Sequence, residues 1–123
     1  MNLLAIDFGT KRIGLAVSIQ DIITPVETIN NDSQTLTKIK EVIGQYQIEK
    51  IYVGLSEGKM AELTKKFIKK LQDMVELPTE TVEEAVSTIE AQEIFLANKN
   101  KKKNYKKSID SIAAAVILRR VNN

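Results

Sequence analysis

The chain contains no cysteine and no histidine. Without cysteine there is no disulfide framework, no thiolate nucleophile and no thiolate zinc site. Without histidine, Ser-His and Cys-His catalysis and imidazole metal ligation are excluded. Any catalysis must then rest on carboxylates, lysine, tyrosine, hydroxyls or a metal held by oxygen, and oxygen ligation favours hard cations such as Mg²⁺ or Mn²⁺. Long apolar runs are also missing: none approaches the ~18 residues of a membrane span. No basic stretch followed by an apolar segment opens the chain, so the expectation is a cytoplasmic protein with no membrane association.

Its 123 residues, 43% hydrophobic and 28% charged, fit a single globular domain, 1–123, with enough chain to bury a core. A net charge of only +2 does not announce a nucleic-acid partner. The distribution of charge says more. Lys99, Lys101, Lys102, Lys103, Lys106 and Lys107 form a run with no acid among them; Lys59, Lys65, Lys66, Lys69 and Lys70 form a second set, and Arg119 and Arg120 lie near the end. Such runs are commonly solvated loops and helix faces. The competing reading is a phosphate-facing patch.

Patterning along the chain predicts strands at 3–8, 13–19 and 22–29, separated by turns at Gly9–Arg12 and Gln20-Asp21. Pro25 assigns the third strand to an edge or an irregular start. Asn30-Asn31-Asp32-Ser33 reads as a turn and cap before a helix reaching about Tyr46. Lys50–Leu55 reads as a strand. Met60, Leu63, Phe67, Leu71 and Met74 then mark one face of a helix, with lysines opposite. Thr79–Glu83 reads as a fifth strand, Ser87-Thr88-Ile89-Glu90 as a capping box opening a helix to about Leu96, and Ser108 as the cap of a last helix. Three hairpin-linked strands followed by alternating helices and strands imply an α/β fold with a mixed five-stranded sheet flanked by helices.

Three acids stand at informative places. Asp7 ends an apolar strand, where a carboxylate is costly unless it is paired or bound to metal; the alternative is a turn cap or a partner for Lys11 or Arg12. Glu84 follows the fifth strand, where it could equally be part of an exposed acidic turn. Asp110 lies in the first turn of the last helix, where an acid also complements the helix dipole.

The segments Ile6-Asp7-Phe8-Gly9-Thr10-Lys11-Arg12-Ile13-Gly14, Val53-Gly54-Leu55, Val82-Glu83-Glu84 with Ser87-Thr88, and Lys107-Ser108-Ile109-Asp110-Ser111-Ile112-Ala113-Ala114 together resemble the YqgF-like family. The match runs nearly the length of the chain, in the family's order. The resemblance implies an RNase H-like fold and nuclease activity, described for the family as pre-16S rRNA processing or Holliday junction resolution. It further implies a catalytic, metal-binding set of Asp7, Glu84 and Asp110, with Mg²⁺ or Mn²⁺ as cofactor. Two departures stand out. The family's Asp-Glu-Arg is here Glu83-Glu84-Ala85, and the loop after Leu55, usually longer and opened by Pro, is the short Ser56-Glu57-Gly58.

The resulting expectation is a metal-dependent endonuclease acting in maturation of the 5' end of pre-16S rRNA. The runner-up is a Holliday junction resolvase, which would have to be a dimer. Lys11, Arg12, Lys102, Lys103, Lys106 and Lys107 would contact nucleic acid, either structured RNA or branched DNA, and the protein would be a monomer or homodimer. Two other classes compete. Asp7-Phe8-Gly9-Thr10 also resembles the first phosphate loop of the sugar kinase and actin-like group, but those proteins need a second domain and a second phosphate loop. A nucleic-acid-binding relative with weakened catalysis is suggested by Ala85 and the short loop.

Overall fold

The computed structural model describes residues 1–55, 58–83 and 105–122, with the side chains of 112–121 described in the last segment. Its elements run β1 (Leu3–Asp7), β2 (Arg12–Ile19), β3 (Ile22–Asn30), α1 (Thr35–Gln45), β4 (Lys50–Leu55), α2 (Lys59–Met74), β5 (Thr79–Glu83) and α3 (Tyr105–Asn122). The helix expected from Ser87 to about Leu96 lies outside the described residues.

The strands form one five-stranded mixed sheet in the order β3-β2-β1-β4-β5, so β1 is central. β1, β2 and β3 pair antiparallel as two hairpins, while β4 and β5 add in parallel. Pro25 is on an edge strand, as its missing N–H requires. There the register slips by one residue: Leu15 pairs with Glu27 but Ala16 with Pro25. The β2–β3 turn places both Gln20 and Asp21 at positive φ, 52° and 65°.

Side chains alternate across the sheet. Leu4, Ile6, Ile13, Leu15, Ile51 and Val53 bury on one face against Ile39 and Val42 of α1 and Phe67, Ile68 and Leu71 of α2. Leu3, Ala5 and Ala16 bury on the other face against Ala114, Ala115, Ile117 and Leu118 of α3. Small residues in both partners let α3 lie close on the sheet. Burying a branched side chain such as Leu4 or Ile117 contributes about 1.5–3 kcal/mol.

Three expectations shift. α2 buries Thr64, Phe67, Ile68 and Leu71, leaving Leu63 41% exposed; Thr64 is tolerated inside because its hydroxyl donates to the Met60 carbonyl at 2.7 Å. α1 has no side-chain cap at its N-cap residue, Gln34. Instead Thr35 Oγ1 accepts from the Asp32 N–H and Asp32 Oδ1 accepts from the Gln34 N–H, both at 2.8 Å. α3 begins at Tyr105, three residues ahead of the expected cap at Ser108.

Candidate active site

Asp7 closes β1 at the C-terminal ends of the parallel strands. Alternation fixes its direction. Leu3 and Ala5 face α3, so Asp7 is on that face too, the face covered by the helix that carries Asp110. It is half-buried.

The neighbours across the sheet are the unexpected part. Asp7 pairs with Gly14 on β2, and one step beyond the Ile6–Val53 pair on the other side stands Gly54 of β4. Gly54 in turn pairs with Val82. A central carboxylate thus stands between two positions that carry no side chain. A glycine inside a strand costs about 0.5–1 kcal/mol in backbone freedom, and it commonly marks close approach of a ligand or another backbone. Both glycines are buried, so what covers this face of the sheet can approach the backbone on either side of Asp7 closely. The motif contained both glycines, but only the strand register shows that they flank the acid.

The loop after Asp7 is closed tightly. A Cβ on Gly9 would sit 2.4 Å from the Arg12 carbonyl oxygen, so no other residue fits without moving backbone. Asn31 holds this loop from β3's end: its side-chain amide donates to the Gly9 carbonyl at 2.8 Å, and its N–H donates to the Lys11 carbonyl at 2.9 Å. Lys11 and Arg12 are exposed at the loop. Arg12 is the first residue of β2 rather than part of the turn. By alternation with Gly14 and Ala16 it shares the face of Asp7.

Of the other expected site residues, Glu84, Lys102 and Lys103 lie outside the described residues. Asp110, Lys106 and Lys107 fall on the described backbone of α3, their side chains outside the described part. Among the described residues, no three carboxylates gather as a metal-holding cluster. Val82, two residues before Glu84, packs toward α3.

One charged pair lies at the other end of the sheet. Lys50 lies at the start of β4, 3.1 Å from Glu80, with its ammonium 5.0 Å from the centre of the Tyr52 ring. Hydrogen bonding to Tyr52, then to Glu80, raises its pKa above the ordinary lysine value. It is a strand-pairing contact at the opposite end of the sheet from Asp7.

A family model described as RuvX, Holliday junction resolvase, matches residues 1–121. This chain belongs to the RuvX (YqgF-like) family. RuvX relatives include a protein of Sulfurihydrogenibium sp., 38% identical over 95% of this chain and 86% of its own length. Another, from Halothermothrix orenii, is 33% identical over 96% of this chain and 91% of its own. Both are named as a candidate pre-16S rRNA nuclease. Solved structures agree on the fold. RuvC of Thermus thermophilus gives a TM-score of 0.63 at 12% identity, covering 99% of this chain and 97% of its own. The Fowlpox virus Holliday junction resolvase also gives 0.63 at 12% identity, over 99% and 96%. The fold of this RuvX protein is RNase H-like, and it is a nuclease, a hydrolase of phosphodiester bonds. Among the described residues, no helix is long and apolar enough to cross a membrane.

Proposed function

We propose that the whole chain, 1–123, acts as one cytoplasmic nuclease domain that cleaves precursor 16S rRNA with a divalent metal held by Asp7, Glu84 and Asp110. The observation that carries this reading is the position of Asp7 between Gly14 and Gly54 on the face covered by α3. The donor set suits the group: in a chain without histidine or cysteine, carboxylate oxygens match Mg²⁺ or Mn²⁺. When bound, such an ion supplies positive charge at the phosphate and makes water a stronger nucleophile at neutral pH.

The chain's own residues do the rest. Arg12, on the same face, donates to a phosphate oxygen from a planar fork, and exposed Lys11 adds charge next to it. Lys102, Lys103, Lys106 and Lys107 extend the phosphate contacts along the substrate. The family's Arg is Ala85 here, which places more of that task on Arg12.

A second substrate, a four-way DNA junction, is favoured by the family's description and by the fold shared with a RuvC solved on such a junction. Cleavage of precursor 16S rRNA and of a four-way junction, each with Mg²⁺ and with Mn²⁺, separates the two. Asp7→Asn is expected to abolish cleavage of whichever substrate the parent cuts. An Asp7→Asn protein that cuts as fast as the parent would remove Asp7 from the site. Tight binding by the parent with cleavage of neither substrate would identify a binding relative that has lost catalysis.

A further inference from the structure

On the other side of the sheet end from Asp7 lies a depression of about 270 Å³. Its floor is apolar: Phe8, Phe67, Leu36 and the exposed Leu63. The two rings meet at 4.8 Å between centroids, tilted by 32°. Lys66 and Lys70, one turn apart on α2, line its rim, and among the described residues neither is held in an ion pair. Its acid, Asp32, is turned to the Gln34 N–H at 2.8 Å.

We propose that this depression is a subsite for one unpaired nucleotide next to the scissile phosphate, the base lying on Phe8 and Leu63 above the buried Phe67 and the phosphate against Lys66 and Lys70. The proposal rests on the nuclease reading and names the form of substrate it takes. An apolar aromatic floor rimmed by lysines complements a nucleotide's two halves: a flat π-face and an anion. The site is joined to the catalytic strand, because Phe8 directly follows Asp7. Phe8 packs on the face of α1 and α2 while Asp7 is on the face of α3, so a chain engaged at Asp7 reaches the depression only by turning round the end of β1. A nucleotide stacked inside a duplex cannot make that turn.

The subsite grips without reading. The Thr35 hydroxyl donates to the Asn30 carbonyl at 2.9 Å and accepts from the Asp32 N–H, and the Asn31 amide is engaged with Gly9. The fold has turned the Thr35 hydroxyl and the Asn31 amide nitrogen to its own carbonyls, which leaves stacking and charge as the main contacts, both tolerant of base identity.

The test is binding of the full-length protein, in EDTA so that nothing is cut, to two labelled RNA duplexes. One is fully paired; the other carries a single unpaired 2-aminopurine. The parent is expected to bind the second about tenfold more tightly, the scale of one stacked base, and to change the 2-aminopurine fluorescence. Lys66→Gln with Lys70→Gln, two exposed positions, should lose most of that preference and show a shallower salt dependence. Leu63→Ser, also exposed, should diminish the fluorescence change. Equal affinity for the two duplexes, or an unchanged preference in the double lysine variant, would overturn the subsite. Because no cleavage is read, failure of the metal-site assignment appears separately, as unimpaired cutting by Asp7→Asn.

Discussion

The side-chain amide of Asn31 reaches across from the end of β3 to donate to the carbonyl of Gly9, two residues beyond Asp7, at 2.8 Å. Together with the Asn31 N–H to Lys11 bond, it ties both sides of the loop between the acid and Arg12. Asn31→Ala removes the first tie, a loss of about 1 kcal/mol, which for a domain of this size lowers Tm by about 4 °C. Because the loop carries Lys11 and Arg12, kcat for cleavage should fall as well. Asn31→Asp keeps the size but turns an acceptor toward a carbonyl oxygen, and should be no better than alanine. Thermal denaturation beside cleavage kinetics decides it: an alanine variant with parental Tm and kcat would show that the loop holds itself.

The buried glycines beside Asp7 make a sharper demand. Gly14→Val adds a branched side chain on the face of Asp7, at a strand position where valine is well suited to the backbone. Cleavage should drop by about a hundredfold, the scale of a small misplacement of reacting groups, and because Gly14 is buried the added side chain should also cost about 1–3 kcal/mol of stability by overpacking. Circular dichroism and a cleavage assay on the same preparation read the two effects apart. Parental activity in the valine variant would mean that substrate approaches Asp7 from elsewhere.

Metal should be visible without any substrate. An ion that binds the folded chain and not the unfolded one stabilises it by mass action, about 2.7 kcal/mol at a hundred times its Kd. Mg²⁺ or Mn²⁺ added after EDTA treatment is therefore expected to raise Tm, and Asp7→Asn to abolish the rise. A Tm indifferent to both ions in the parent counts against a carboxylate site.

The β2–β3 turn offers a gain in stability. Gln20 and Asp21 both sit at positive φ, a conformation that suits Asn-Gly in two-residue hairpins and is unfavourable for most other side chains. Gln20→Asn with Asp21→Gly should stabilise the protein by about 1 kcal/mol, read by denaturant titration, with cleavage unchanged because the turn is at the far end of β2 from Gly14. A less stable double variant would show that the Gln20 or Asp21 side chain contributes more than its backbone strain costs.

Much of this architecture was legible in the chain because the punctuation is local. Glycine and polar turns bound the apolar runs of β1 and β2, Pro25 marked an edge strand, and Asp7 stood out as an acid after four apolar residues. What was not legible needed long-range information. Leu63 fits a helical stripe by spacing, yet Thr64 takes the inner position because its hydroxyl is satisfied within the helix. The cap of α1 formed from Asp32 and Thr35 together, a pairing that composition alone does not choose. Gly14 and Gly54 are forty residues apart in sequence; their place on either side of Asp7 follows only from how three strands align.

β1 is the central strand of the five, with a partner on each side and buried residues from Leu3 to Ile6. Amides in such a strand are expected to be among the slowest of the molecule to exchange with solvent. Asp7 is fastened to that strand. Hydrogen exchange along β1 would then read how far that protection extends toward its last residue, Asp7, which carries the proposed ligand.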